Sequence, residues 1–251
     1  MVQAVHGPKA IEGRISVTSK LSPDAAYWRS PYMGGRPNGT VVDAPQAFLL
    51  EMSPQQKLVS HFHEVDQFQI FVGGSGTIGR NKPATLSNTM HYADHHTGYG
   101  PIVASAQGFS YFTLRAQTDA GAVEIDKPGY REKLKPSKKR HFLAPIALST
   151  EPVLASRTET VLEPMIPDQE KFDDCLGAYV LRVGPGMQAT GPDPRGSGGQ
   201  YFLVLNGGMQ FGGADYPLWS LLFVGPDDAP CTFTAGRGGV EMFVGQYPGR
   251  N

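Results

Sequence analysis

At 251 residues the chain is long for one domain and sufficient for two small ones, with enough material for a substantial core. Hydrophobic residues make up 40% and charged residues 18%; together with 31 glycines, 21 prolines, 13 Phe and 10 Tyr this argues for many short strands joined by turns and excludes long helices. The formal net charge of -1 leaves no global field to hold a polyanion, which turns the reading away from nucleic acid and towards a small-molecule substrate.

Residues 1–39 read as an N-terminal arm. Met1 to Pro8 show no apolar run behind a basic head, and no stretch approaches the ~18 apolar residues that a membrane span needs. Alternation then predicts strands at Gln46 to Met52, Lys57 to His63 and Gln67 to Val72, the last closing on Gly73-Gly74 and continuing as a hairpin through Thr77 to Arg80. Thr89 to Ala93 and Phe109 to Arg115 follow; in the latter Phe109, Tyr111 and Thr113 alternate with Ser110, Phe112 and Leu114. Residues 119–174 read as a linker. Its basic run carries Lys127, Arg131, Lys133, Lys135, Lys138, Lys139 and Arg140, with Pro128 and Pro136 breaking any helix, which is the pattern of a solvated surface.

The last third echoes the earlier block. Gln67 to Gly74 (QFQIFVGG) reappears as Gln200 to Gly207 (QYFLVLNG), and Pro101 to Arg115 reappears loosely as Pro230 to Gln246, in the same order. A duplicated β-unit is the reading. Trp219, Phe223 and Cys231 of the second copy are expected in its core. Cys175 and Cys231 are too few for a disulfide framework and lack neighbours at zinc-finger spacing, so a reducing, cytoplasmic setting is expected.

Five of the seven histidines fall between residues 61 and 96. His61 and His63 are two apart on an expected strand, so both imidazoles leave the same face with α-carbons roughly 6.5 to 7 Å apart. Two such rings can converge on one metal ion. Gln67 follows at the start of the next strand, where a turn brings its side-chain oxygen near, and Gln69 has the same parity and competes.

The run His61-Phe62-His63-Glu64-Val65-Asp66-Gln67, followed by Phe68 to Val72 and Gly73-Gly74, resembles the first motif of the cupin superfamily: His-x-His, three or four residues, an acidic ligand, six residues, glycine. Gln67 stands where the family usually has glutamate, as in some cupins, and Gly74 where it has glycine; Gln55 replaces the leading glycine. The second motif, Pro-x-Gly-x-x-His then Asn, is not recognisable, since Ile102 and Cys231 fall roughly where its histidine belongs. A replacement is expected from His91 to Pro101, with His96 sharing the parity of Ile102 and His91 or His95 as alternatives. In the second copy Gly191 to Gly199 replaces the His-x-His segment and holds no histidine.

The resemblance implies an all-β bicupin of two jelly-roll barrels in tandem: residues 40–118 binding metal and residues 175–251 structural. It implies His61, His63, Gln67 and His96 as ligands of a divalent ion, iron first, with manganese, nickel or zinc open. Tyr99, Tyr92 and His95 are the expected proton-moving groups, because a phenol beside a divalent cation has a lowered pKa. The implied function is a metal-dependent enzyme acting on a small organic substrate, foremost a non-haem iron-type dioxygenase. A redox-neutral metal-dependent lyase or isomerase and a non-catalytic small-molecule-binding cupin are the alternatives, and a homodimer is the default assembly.

Overall fold

Aromatic and β-branched residues in short runs, cut by glycine and proline, leave two α-helices among the described residues, α1 (Gly7–Glu12) and α2 (Glu151–Ala155). The computed structural model describes residues 1–249, with residues 23–25 as backbone alone; residues 250 and 251, the end of the second expected barrel, lie outside the described residues. The chain forms two units, one of residues 13–145 and one of residues 1–12 with 146–251. These bounds differ from the arm, barrel, linker and barrel read from the sequence, because β1 (Gln3–Val5) pairs with a strand near the other end of the chain.

Residues 13–145 carry β2 (Ile15–Ser19), β3 (Ser22–Met33), β4 (Gln46–Met52), β5 (Lys57–Leu58), β6 (His61–Phe62), β7 (Gln67–Ile78), β8 (Thr85–Leu86), β9 (Thr89–Ala93), β10 (Ile102–Arg115), β11 (Val123–Glu124) and β12 (His141–Pro145). Seven run in the order β12-β9-β7-β10-β4-β3-β2, with β5 on β10 and β8 on β7, while β6 pairs with β11. The expected arm therefore supplies β2 and β3. Part of the expected linker supplies β12, whose Phe142 opposes Tyr92 on β9. The strand expected over Lys57 to His63 breaks in two because its partner changes: Leu58 pairs with Ile102, whereas Phe62 pairs with Val123. A core of Leu50, Leu58, Phe71, Ile102, Phe109 and Tyr111 lies inside the sheet.

Gly73-Gly74 do not end a strand. β7 runs through them to Ile78, with a register irregularity against β10 at this point. Gly74 has φ +66°, and a Cβ there would sit 2.2 Å from the Gly108 carbonyl oxygen, so only glycine fits the crossing.

The second unit contains β13 (Thr160–Pro164), β14 (Gly177–Val183), β15 (Gln188–Thr190), β16 (Gln200–Phe211), β17 (Ala214–Pro217), β18 (Leu221–Val224) and β19 (Thr232–Gln246). Its sheet order is β1-β18-β16-β19-β14-β13, with β15 on β19 and β17 on β16. The duplication is visible here strand for strand. β16 answers β7 and β19 answers β10, and Gly207, at φ +68°, would place a Cβ 2.1 Å from the Gly239 carbonyl oxygen. Phe223 and Cys231 are buried as expected, while Trp219 is only partly buried.

Candidate functional site

The site lies inside the unit of residues 13–145, around β6 and the end of β10. Alternation along β6 sends His61 and His63 to one side, and their ring centroids are 5.1 Å apart. Tyr99 joins them because its backbone pairs with that of His61 in both directions, at 3.0 and 3.1 Å. The phenol ring then lies 4.6 Å from the His61 ring. Gln67 opens β7, and Arg115 closes β10 beside it.

Hydrogen bonds fix every proton in this cluster. The Val59 carbonyl, 2.6 Å from His61 Nδ1, can only accept, so Nδ1 carries hydrogen and Nε2 offers its lone pair to the Tyr99 hydroxyl at 3.0 Å. Asp119 Oδ2, 2.7 Å from His63 Nδ1, fixes the same tautomer there, and Arg115 Nη2 donates to His63 Nε2 at 3.1 Å. Arg115 also donates to Gln67 Oε1 at 2.9 and 3.1 Å, and to Gln46 Oε1 at 2.7 Å. Because arginine cannot accept, Gln67 must turn its oxygen to Arg115 and its amide nitrogen to the Tyr99 hydroxyl.

Burial keeps both imidazoles uncharged. It drives His61 down to about 3, helped by the neighbouring His63, and it lowers His63 as well, with Arg115 adding to the effect. Burial alone would raise Asp119; the hydrogen bond from His63 Nδ1–H, the positive charge of Arg115 and the Glu64 backbone N–H overcome it and hold the carboxyl well below the usual range. Burial also raises Tyr99, so its phenol keeps its proton.

The other expected residues separate. His96 adopts a left-handed backbone, φ +56°, and its ring packs against Phe62, which faces away from His61 and His63. It therefore does not complete their ligand set. Tyr92 is buried between Phe68 and Phe142 and donates to Asp94 Oδ1 at 2.7 Å. His95 pairs with Asp66 at 2.7 Å on the surface side. Neither reaches the cavity, so Tyr99 alone of the three expected proton-moving groups lies in the site. His91 turns the other way from its neighbours: its Nδ1 is 2.7 Å from Gln69 Oε1, its Nε2 is 2.6 Å from His141 Nε2, and its ring is 5.0 Å from Tyr99.

These positions decide the fit to a metal ion. His61 and His63 fit as ligands in being neutral and braced at Nδ1, and an ion would take their Nε2 lone pairs from Tyr99 and Arg115. Gln67 fits less well, since its oxygen accepts two hydrogen bonds from Arg115. Among the described residues no group of three or more His, Cys, Asp and Glu side chains is placed to hold an ion.

A cavity of about 290 Å³ opens beside the cluster, lined by His61, His63, Gln69, Tyr99, Arg115 and Asp119, and farther out by Phe48, Leu50 and Tyr111. Sequence reasoning passed over Arg115 and Asp119. The signal for Arg115 was present, because the parity of Phe109, Tyr111 and Thr113 extended by one step puts Arg115 on the inner face. Asp119 lies beyond the strand, where parity says nothing.

Among the described residues no helix is long and apolar enough to cross a membrane. No family model and no curated protein matches the sequence. Solved structures match throughout its length. The nickel(II) complex of bacterial pirin YhhW from Escherichia coli is 11% identical with a TM-score of 0.61, each chain covered over 100%. A "putative dioxygenase" from Nostoc punctiforme is 11% identical with a TM-score of 0.65, covering 99% of this chain and 83% of its own. An 11S globulin from Wrightia tinctoria is 8% identical with a TM-score of 0.59, covering 99% and 84%. At such identities the likeness speaks for the fold alone. Both repeats, the His-x-His segment and these neighbours agree on it: the chain has the cupin fold, two jelly-roll units in tandem, a bicupin.

Proposed function

We propose that the unit of residues 13–145 is a metal-dependent enzyme acting on a small organic substrate, with His61 and His63 as the protein ligands of a divalent ion. One observation carries this reading. Both imidazoles are held uncharged, with Nδ1–H engaged by Val59 or Asp119, and both residues line one cavity. Such bracing fixes the tautomer a metal needs and raises ligand basicity. When bound, the ion supplies Lewis-acid or oxygen-activating chemistry at positions left to water and substrate. The chain's own residues bind and orient: Arg115 donates into the site, and Tyr99 holds a phenolic proton there. The pirin neighbour's nickel and the neighbour described as a dioxygenase favour an oxygenase as the first reaction to assay.

A second reading has its own observation. Both Nε2 lone pairs already accept from groups of this chain, His61 from Tyr99 and His63 from Arg115. That arrangement suits proton transfer in a redox-neutral lyase or isomerase without a metal. Elemental analysis of the untagged protein, His61→Ala and His63→Ala, followed by oxygen-uptake assays, separates the two. Near-stoichiometric metal in wild type that is lost in both variants is expected. A metal-free wild type purified without chelators would remove the first reading and leave the second.

A further inference from the structure

The cavity has a charge imbalance that the proposed chemistry does not use. Lys20, Arg29, Arg36 and Arg115 line it, and among the described residues the one carboxylate beside them is Asp119. Asp119 is already committed to His63 and lies 3.6 Å from Arg115. Arg29 is the decisive residue. It stands on β3 opposite Leu50, so the two side chains share the inner face. Its residue is 6% exposed, and its Nε is buried with no hydrogen-bond partner. Its one hydrogen bond is a long one, 3.4 Å from Nη2 to the Gly35 carbonyl, and its guanidinium lies 4.1 Å from the Phe48 ring centroid. Among the described residues no carboxylate pairs with it. Arg115 approaches the same ring at 5.8 Å, so two guanidinium groups flank one phenyl at the cavity wall. Buried cations repel each other, and an unfilled guanidinium donor in a dry wall is costly unless something else fills it.

We infer that the substrate is a small organic carboxylate, whose anionic group is taken by Arg29 in the positive field of the already engaged Arg115, and whose apolar body lies against Phe48, Leu50 and Tyr111. A planar guanidinium with a free Nε–H matches a carboxylate through two parallel N–H donors, which a neutral amide cannot reproduce. Exposed Arg36 and Lys20 add a positive field at the rim that draws such an anion inward. This inference rests on the reading that the cavity is the working site, but it does not need the metal.

The test uses full-length protein dialysed against a chelator, so that no metal-bound carboxylate contributes. Acetate, succinate and benzoate are titrated by ligand-detected NMR beside acetamide, succinamide and benzamide, with phenylphosphonate as a non-carboxylate anion. At least one acid should bind about tenfold or more tighter than its amide. Arg29→Gln should lose that preference, and Arg29→Lys should lose less. Equal binding of acids and amides, no binding by any acid, or phenylphosphonate bound where no carboxylate is, would overturn the inference. The acid and amide contrast on wild type decides the matter even if Arg29→Gln fails to fold. Set beside elemental analysis of the protein before dialysis, metal present as purified with no acid–amide contrast sinks this inference alone, and contrast with no metal present as purified sinks the metal reading alone.

Discussion

Arg115 is the residue on which the site turns. Its guanidinium satisfies three acceptors at once, Gln46 Oε1, Gln67 Oε1 and His63 Nε2, all in a buried cluster. Arg115→Gln would leave some of them unpaired, and we expect a loss of about 3 kcal/mol, read as a lower urea midpoint. The same substitution removes a positive charge from beside His63 and frees its lone pair. Metal affinity should therefore rise, by about tenfold in a competition titration, although the fold is weakened. Unchanged or weaker affinity in a folded variant would mean that His63 is not a ligand. His95 offers a separate residue-scale prediction. Its hydrogen bond to Asp66 raises its pKa above 6.5. A histidine raised in the folded state contributes stability below its unfolded pKa and loses it as pH rises through the folded value. The gap in melting temperature between wild type and Asp66→Asn should thus be widest near pH ~5.5 and narrow above neutrality. A gap that widens with pH would reverse the assignment.

At the scale of elements, the two long strand pairs cross at glycines that no other residue can replace. Gly74→Ala and Gly207→Ala each force a Cβ into a carbonyl oxygen at a positive φ. Gly186 has φ +67° but nothing within 4 Å, so Gly186→Ala carries the conformational cost without the clash. We expect Gly207→Ala to cost about 2 kcal/mol or more beyond Gly186→Ala by denaturant titration. Equal costs would show that the bulge yields. The sequence marked this pair of strands through the repeated Gln-to-Gly segments, but it read the glycines as strand ends. Composition cannot distinguish a glycine that stops a strand from one that lets another backbone pass. Alternation placed His61, His63 and Tyr111 correctly because period two fixes which face a residue takes. It failed for His96, where a left-handed residue resets the parity, and for Tyr92 and His95, whose neighbours come from distant segments. The edge strand β12 was illegible for a related reason: its pairing depends on β9, a partner far along the chain.

In the whole molecule, the duplication repeats the scaffold but not the histidine cluster. Gln200 and Gln246 are paired across β16 and β19, with Gln200 Nε2 donating to Gln246 Oε1 at 2.6 Å. They occupy the places that Gln67 and Arg115 hold at the ends of β7 and β10. The second unit thus retains the cross-strand polar contact but has exchanged the cation for an amide. Around it no histidine remains, since residues 146–251 contain none. Glu241 is the buried carboxylate of that unit, and it is occupied by Arg182, Asn206 and Ser149. Those contacts hold it below the ordinary carboxylate range although burial pushes the other way. A carboxylate so fully engaged has no lone pair left for an ion or a substrate. The consequence is a stoichiometry: the intact chain should take up at most one divalent ion, not two, and His61→Ala with His63→Ala should bring it to zero. Equilibrium dialysis with nickel or iron measures this directly. A second equivalent surviving the double substitution would place a metal site outside the His61–His63 pair and overturn the division of labour between the two copies.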